Sequence, residues 1–242
     1  MGSRLKEKKS LSRALSKMGI TSRAVASQLI LSGKVKLGNK VILDPEYQVS
    51  LPVLNLQIND KPIHTAKKVY FIMHKPKGVI TSRDDEKGRK TIYDLLGPEL
   101  PWIFPVGRLD KESSGILFLT NDTTWGDQIS SPIQKVPKTY HVKINKNITD
   151  EDIRKIKEGL KLSSDLVYLP AFIEKIRENK KSCWIEIILT EGKNRQIRKM
   201  LEHLNYRVEN LVRIKIGNSY LGDLKPGELR AISPDDPFFK KE

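Results

Sequence analysis

The chain of 242 residues contains one cysteine, Cys183, and four histidines, His64, His74, His141 and His203. One thiol excludes an intrachain disulfide and a thiolate zinc site, and it fits a reducing, cytoplasmic compartment. The histidines are far apart and form no ligand-spaced pair, so each reads as a surface or packed residue. No apolar run approaches the roughly 20 residues that a bilayer-crossing helix requires. Nor does any strongly basic amphipathic stretch carry bulky apolar anchors, so no membrane partner is expected. The opening MGSRLKEKK is charged where a secretory leader needs an apolar segment. Glycine patterns that cradle nucleotide phosphates are missing, as are internal repeats and low-complexity tracts.

Acidic residues are in short supply. Lys and Arg number 44 against 29 Asp and Glu, a net charge of +15. Such an excess favours a polyanionic partner through counterion release, and nucleic acid leads over simple solubility as the reason for it. The 38% hydrophobic content supports a core, and the length allows a small domain joined to a larger one.

Residues 10–32 read as two short helices. Leu11, Ala14, Leu15 and Met18 recur at helical spacing, Gly19 stops the first, and Thr21 or Ser22 caps a second that carries Val25, Leu29 and Ile30. KVKLGNKVILDPEYQV and LNLQINDKPI then suggest a small β-unit with turns at Gly38-Asn39 and Asn59-Asp60. HTAKK, residues 64–68, reads as a linker. Beyond it VYFIMHKPKGVITS gives a buried strand broken by Pro76 and Gly78, residues 84–90 an exposed loop, and Thr91 to Leu96 a helix. GILFLT and KTYHVKI are strands, residues 123–138 a loop, and TDEDIRKIKEGL a helix opened by Thr149 and Asp152 at capping-box spacing. A hairpin turning at Glu178 to Lys181 precedes KNRQIRKMLEHL, a helix with Ile197, Met200, Leu201 and Leu204 on its apolar face. Many strands without βαβ alternation predict an α+β fold: a mostly antiparallel mixed sheet preceded by a small α/β unit.

Chemistry concentrates in VGRLDKESSGILFLTND. A lone carboxylate, Asp110, lies between Arg108 and Lys111 at the mouth of an apolar strand. In EGKNRQIRKM, cations crowd a helix start, where the macrodipole repels them, so an anion nearby is expected. One carboxylate does not suit glycoside hydrolysis, which needs two. A reaction that breaks and remakes a bond without adding water could use one, and nucleoside isomerisation is such a reaction. The bland alternatives are a turn residue for Asp110, a core aromatic for Tyr140, and a solvated face with an Arg198–Glu202 pair.

FPVGRLDKESSGILFLTND, HKPKGVITS, KTYHVKI, EGKNRQIRKML and GDLKPGELRAI together resemble, in order, the blocks of the RsuA-like family of bacterial ribosomal-RNA pseudouridine synthases. LSKMGITSRAVASQLILSGKVKLGNKVI is similar to the S4 RNA-binding domain that often precedes that catalytic domain. The resemblance implies an S4-like domain over residues 1–64 and a catalytic domain over 65–242. It implies that Asp110 acts on the target uridine, that Tyr140 stacks on the flipped base, and that Arg198 pairs with Asp110. Expected RNA contacts are Arg13, Lys17, Arg23, Lys34, Lys36, Lys75, Lys77, Arg108, Lys193, Asn194 and Arg195. No cofactor or metal is required. The partner would be ribosomal RNA or a ribosomal assembly intermediate, slightly favouring the large subunit, with a monomer as the default. Thr123 stands where the family pattern has Gly, and Pro137 where it has an acid; neither is one of the three catalytic positions. The competing reading is a non-enzymatic S4-domain ribosome-binding or assembly factor.

Overall fold

The computed structural model describes residues 8–83 and 85–233. They fall into two compact units: residues 8–70 with Pro98–Phe104 and Leu119–Asp127, and the remainder. Asp84 of the expected loop and the charged opening residues 1–7 lie outside the described residues.

In the first unit, helix α1 (Leu11–Lys17) and helix α2 (Arg23–Leu31) pack beside a four-stranded antiparallel sheet of β1 (Val35–Leu37), β2 (Lys40–Val41), β3 (Leu56–Ile58) and β4 (Lys61–Pro62) in the order β2-β1-β3-β4. The Ser22 hydroxyl caps α2 by accepting from Val25 N–H at 3.2 Å. Leu11, Ala14, Leu15, Met18, Ala26 and Ile30 close the core. Ala26 takes a core place, whereas Val25 and Leu29 are half-buried. The same unit explains the Thr-Asn-Asp tripeptide. Thr120 Oγ1 donates to Val69 O at 2.7 Å, and Asn121 accepts from Val69 N–H and donates to Lys67 O, both at 2.9 Å. Asp122 accepts from Lys68 Nζ at 2.6 Å and from the Tyr70 hydroxyl at 2.9 Å.

The larger sheet runs through β5 (Tyr70–Lys75), β6 (Ser114–Thr120), β7 (Lys138–Ile144), β8 (Phe172–Glu178), β9 (Cys183–Leu189), β10 (Val208–Ile216) and β11 (Leu229–Ala231). Their order is β8-β9-β7-β10-β6-β5-β11 among the described residues, with Phe104–Val106 beside β6 and Ser219–Tyr220 beside β10. Pairing is antiparallel along β8-β9-β7-β10, and parallel between β10 and β6. This is the expected mixed, mostly antiparallel α+β arrangement. Alternation in β7 and β9 puts Tyr140, Val142, Ile144, Ile185 and Ile187 into one core. Helix α4 (Asp150–Glu158) and helix α5 (Gln196–His203) border it through Ile156, Ile197, Met200 and Leu201. Truncating one such buried side chain to Ala costs about 2–5 kcal/mol.

Two expectations are corrected. Residues 91–96 form only a short 3-10 turn, Ile92–Leu95, capped by Thr91 and Asp94. Residues 123–138, read as a loop, begin with helix α3 (Thr123–Ser130). Asp122 starts that helix by accepting from Thr124 and Trp125 N–H at 3.1 and 3.3 Å. Trp125 then packs edge-on against Tyr70, with centroids 5.1 Å apart.

Candidate active site

The Asp110 loop is braced by the segment that follows β5. Thr81 Oγ1 donates to Leu109 O at 2.9 Å and accepts from Leu109 N–H at 3.2 Å. Gly78 N–H donates to Lys111 O at 2.8 Å. Lys75 Nζ donates to Ser113 O at 2.8 Å and to Pro76 O at 2.9 Å. These bonds hold the backbone on both sides of Asp110 and leave its carboxylate free. Among the described residues no hydrogen bond or ion pair reaches that carboxylate, and the flanking Arg108 and Lys111 are exposed. Lys75 corrects an expectation: it is fully buried with its ammonium committed to two carbonyls, so it is out of reach of RNA. Burial lowers its pKa from 10.5 to about 8, although Asp110 and Glu112 pull the other way.

On the opposite wall, Glu191 and Gln196 tie down the turn that enters α5. Gln196 Nε2 donates to Glu191 Oε1 at 2.6 Å, Lys193 N–H to Gln196 Oε1 at 3.2 Å, and Leu169 N–H to Glu191 Oε1 at 3.0 Å. Arg195 sits at the helix cap in the left-handed region, φ +51°, an uncommon conformation for a side-chain-bearing residue. One turn on, Arg198 Nη2 donates to Glu112 O at 2.7 Å. The expected direct Arg198–Asp110 pair is therefore absent, because the guanidinium reaches the loop backbone instead. Its Nε is buried without a partner, and no Arg198–Glu202 ion pair forms among the described residues. Burial and neighbouring Arg195 lower the Arg198 pKa, while Asp110 and Glu112 oppose them.

Between these walls lies a cavity of about 330 Å³ lined by Asp110, Tyr140, Arg198, Arg108, Lys193, Asn194 and Arg195. Seven expected site residues, drawn from three separate stretches of the sequence, thus share one concavity. Tyr140 is 8% exposed, which leaves little of its side chain for a ligand. Lys77 lies in the same unit but pairs with Glu112 at 3.5 Å. Lys193 is held locally by Val167 O and by Glu191 at 3.3 Å. The other unit carries Arg13, Arg23 and Lys34 exposed and Lys17 half-buried; Lys36 pairs with Asp60 at 2.5 Å. Sequence reasoning passed over Thr81, Lys138, Glu191, Gln196 and Arg213. The last of these lines the cavity from the same buried face of β10 as Leu211.

The arrangement is a single free carboxylate in a cation-lined, half-enclosed cavity beside a Tyr ring. A solved structure described as a pseudouridylate synthase superposes with a TM-score of 0.68 at 26% identity, covering 93% of this chain and 96% of that one. The fold is therefore that of a pseudouridine synthase. The family described as RNA pseudouridylate synthase matches residues 69–203, and the S4 domain matches residues 11–51. An uncharacterised RNA pseudouridine synthase of Rickettsia prowazekii is 36% identical, over 92% of this chain and 94% of its own. The ribosomal large subunit pseudouridine synthase B of Bacillus subtilis is 31% identical, over 93% of each chain. The chain belongs to the RNA pseudouridine synthase family and is an RNA-modifying isomerase with an S4 domain towards its N-terminus.

Proposed function

We propose that the substrate is one uridine of ribosomal RNA, with the large subunit favoured, and that Asp110 is the carboxylate that acts on it. The observation that carries this reading is the convergence of Asp110, Tyr140 and Arg198 on one cavity. The name of the Bacillus subtilis relative supports the choice of RNA. Residues 1–64 serve as the RNA-gripping domain and residues 65–242 as the catalytic one. The monomer takes free RNA or an assembly intermediate.

Extruding the uridine costs about a few kcal/mol, recovered by stacking on Tyr140 and by phosphate contacts. Arg13, Lys17, Arg23, Lys34 and Lys36 supply those contacts in the S4 domain; Lys77, Arg108, Lys193, Asn194 and Arg195 supply them around the cavity. Asp110 assists cleavage of the bond from C1′ to N1 by adding to C6, by trapping the sugar, or by removing a sugar proton in a glycal route. The uracil then rotates, C5 bonds to C1′, and the C5 proton is lost as N1 gains one, so uridine and product are isomers. Arg198 holds the loop through Glu112 O. Ser113, Gly115 and Ile116, buried behind the loop, limit water at the reacting carbon.

The test is to incubate the protein with unmodified 23S and 16S rRNA and with assembly intermediates, then map pseudouridine by carbodiimide-dependent reverse-transcription stops. A single new stop in 23S rRNA is expected. A stop only in 16S rRNA would reverse the subunit preference, and product only in transfer RNA would overturn the ribosomal reading.

A further inference from the structure

Arg213 is 4% exposed, yet it lines the cavity. On β10 it stands directly opposite Tyr140 of β7 and, on the other side, opposite Gly115 of β6. Cross-strand partners share one face of a sheet, with Cβ atoms roughly 5 Å apart. The other approach is closer still. Gly115 has φ +116°, and a Cβ there would lie 2.1 Å from the Arg213 carbonyl oxygen. Only glycine lets β6 and β10 meet here, and that meeting sets where Arg213 enters the cavity.

Within the protein the guanidinium is poorly served. Its Nε donates to Ile116 O at 2.8 Å, its Nη2 is buried without a partner, and no carboxylate pairs with it among the described residues. Lys138 lines the same cavity, and its pKa is lowered by burial and by repulsion from Arg213. Two buried or half-buried cations that repel each other, neither of them ion-paired among the described residues, are a poor stability device. They suit a site that receives negative charge from outside the protein.

We propose that Arg213 binds a carbonyl oxygen of the extruded uracil and neutralises the charge that the ring acquires when the glycosidic bond breaks. The inference rests on the reading of the Asp110 cavity given above. A backbone phosphate fits less well. It remains tethered on both sides and meets the exposed Lys193 and Arg195 first, whereas a base is the one part of a flipped nucleotide that reaches a residue this buried. As the bond from C1′ to N1 breaks, its electron pair passes to the uracil ring and spreads over N1, O2 and O4. When C5 takes C1′, the pair is used in the new bond, and the C5 proton leaves as N1 is protonated. A fixed guanidinium in a dry cavity stabilises such an oxygen anion far better than water-exposed charge does.

The experiment is single-turnover pseudouridine formation in the RNA fragment that the wild type modifies, made with uridine, 2-thiouridine or 4-thiouridine at the target. Sulfur is the weaker acceptor, so one of the two thio substitutions should slow the wild type at least tenfold. Arg213→Gln should be slower by roughly 10²–10³-fold on uridine, should bind the RNA with unchanged affinity, and should be indifferent to that same sulfur. Arg213→Lys, which keeps the charge, should fall between. A wild type indifferent to both thio substitutions would overturn the proposal without any variant, as would a folded Arg213→Gln that keeps the full thio effect. No product from the ordinary uridine fragment would remove the substrate reading itself, a different failure.

Discussion

Thr81→Val is the sharpest probe of how the Asp110 loop is held. Valine keeps the shape of the side chain and deletes one hydroxyl, which serves two bonds at Leu109: one at 2.9 Å to its carbonyl and one at 3.2 Å from its N–H. Leu109 is 7% exposed, so both backbone groups lose a partner with little water to replace it. Each buried group left unsatisfied costs about 1–3 kcal/mol. Gly78 N–H to Lys111 O and Lys75 to Ser113 O remain, so part of the loop stays pinned. A net cost of about 1–3 kcal/mol, spent on releasing the loop, lowers the ratio of placed to released Asp110 by roughly 5- to 150-fold. The assay is single-turnover pseudouridine formation beside RNA affinity by filter binding. The rate should fall by up to that factor with affinity unchanged, and Thr81→Ser should recover most of it. A Thr81→Val protein with wild-type rate and thermal stability would refute the bracing argument.

Asp122→Asn should destabilise the protein by about 1–3 kcal/mol at neutral pH, because the buried carboxylate accepts from Lys68, Tyr70 and the helix start. Burial raises the Asp122 pKa, but those bonds outweigh it and hold the group below its ordinary value of 3.8. Its contribution is therefore complete above that value and is lost as pH falls through the depressed folded value, so the gap between wild type and Asp122→Asn in denaturant titrations should close in acid. Tyr70, pushed up to about 12 by burial and by Asp122, should titrate lower in the variant, which keeps the burial and loses the charge, as read by ultraviolet difference spectra. Arg23→Ala and Lys34→Ala remove exposed charges, and each should lower the slope of log affinity against log salt by roughly 0.7–0.9 without changing the rate on bound RNA. An unchanged slope would take those residues out of the RNA surface.

The elements readable from sequence were those whose signal is local. Leu11, Ala14, Leu15 and Met18 share a helix face, and Thr149 with Asp152 caps α4, because spacing alone decides both. Asp110 stood out as one acid among cations. Its bracing did not, since Thr81 and Lys75 act through carbonyls 28 and 38 residues away. Lys75 beside Pro76 looked like an exposed turn, and only the Ser113 carbonyl explains its burial. The helix Thr123–Ser130 was missed because its own residues, two threonines and Gly126 among them, are weak helix formers. Asp122 and the packing of Trp125 on Tyr70 override that preference. Arg213 escaped because the inward parity of β10 becomes clear only once its partners on β7 and β6 are known.

The role proposed for Asp110, held by its backbone and free at its carboxylate, is in the chemistry and not the binding. Asp110→Asn changes one oxygen to nitrogen and leaves every bond that positions the loop in place. Single-turnover conversion and RNA affinity should be measured together on the wild type and this variant. Conversion should vanish while affinity stays within about twofold, a difference of less than roughly 0.5 kcal/mol. Pseudouridine formed by Asp110→Asn at a rate near wild type would contradict the assignment.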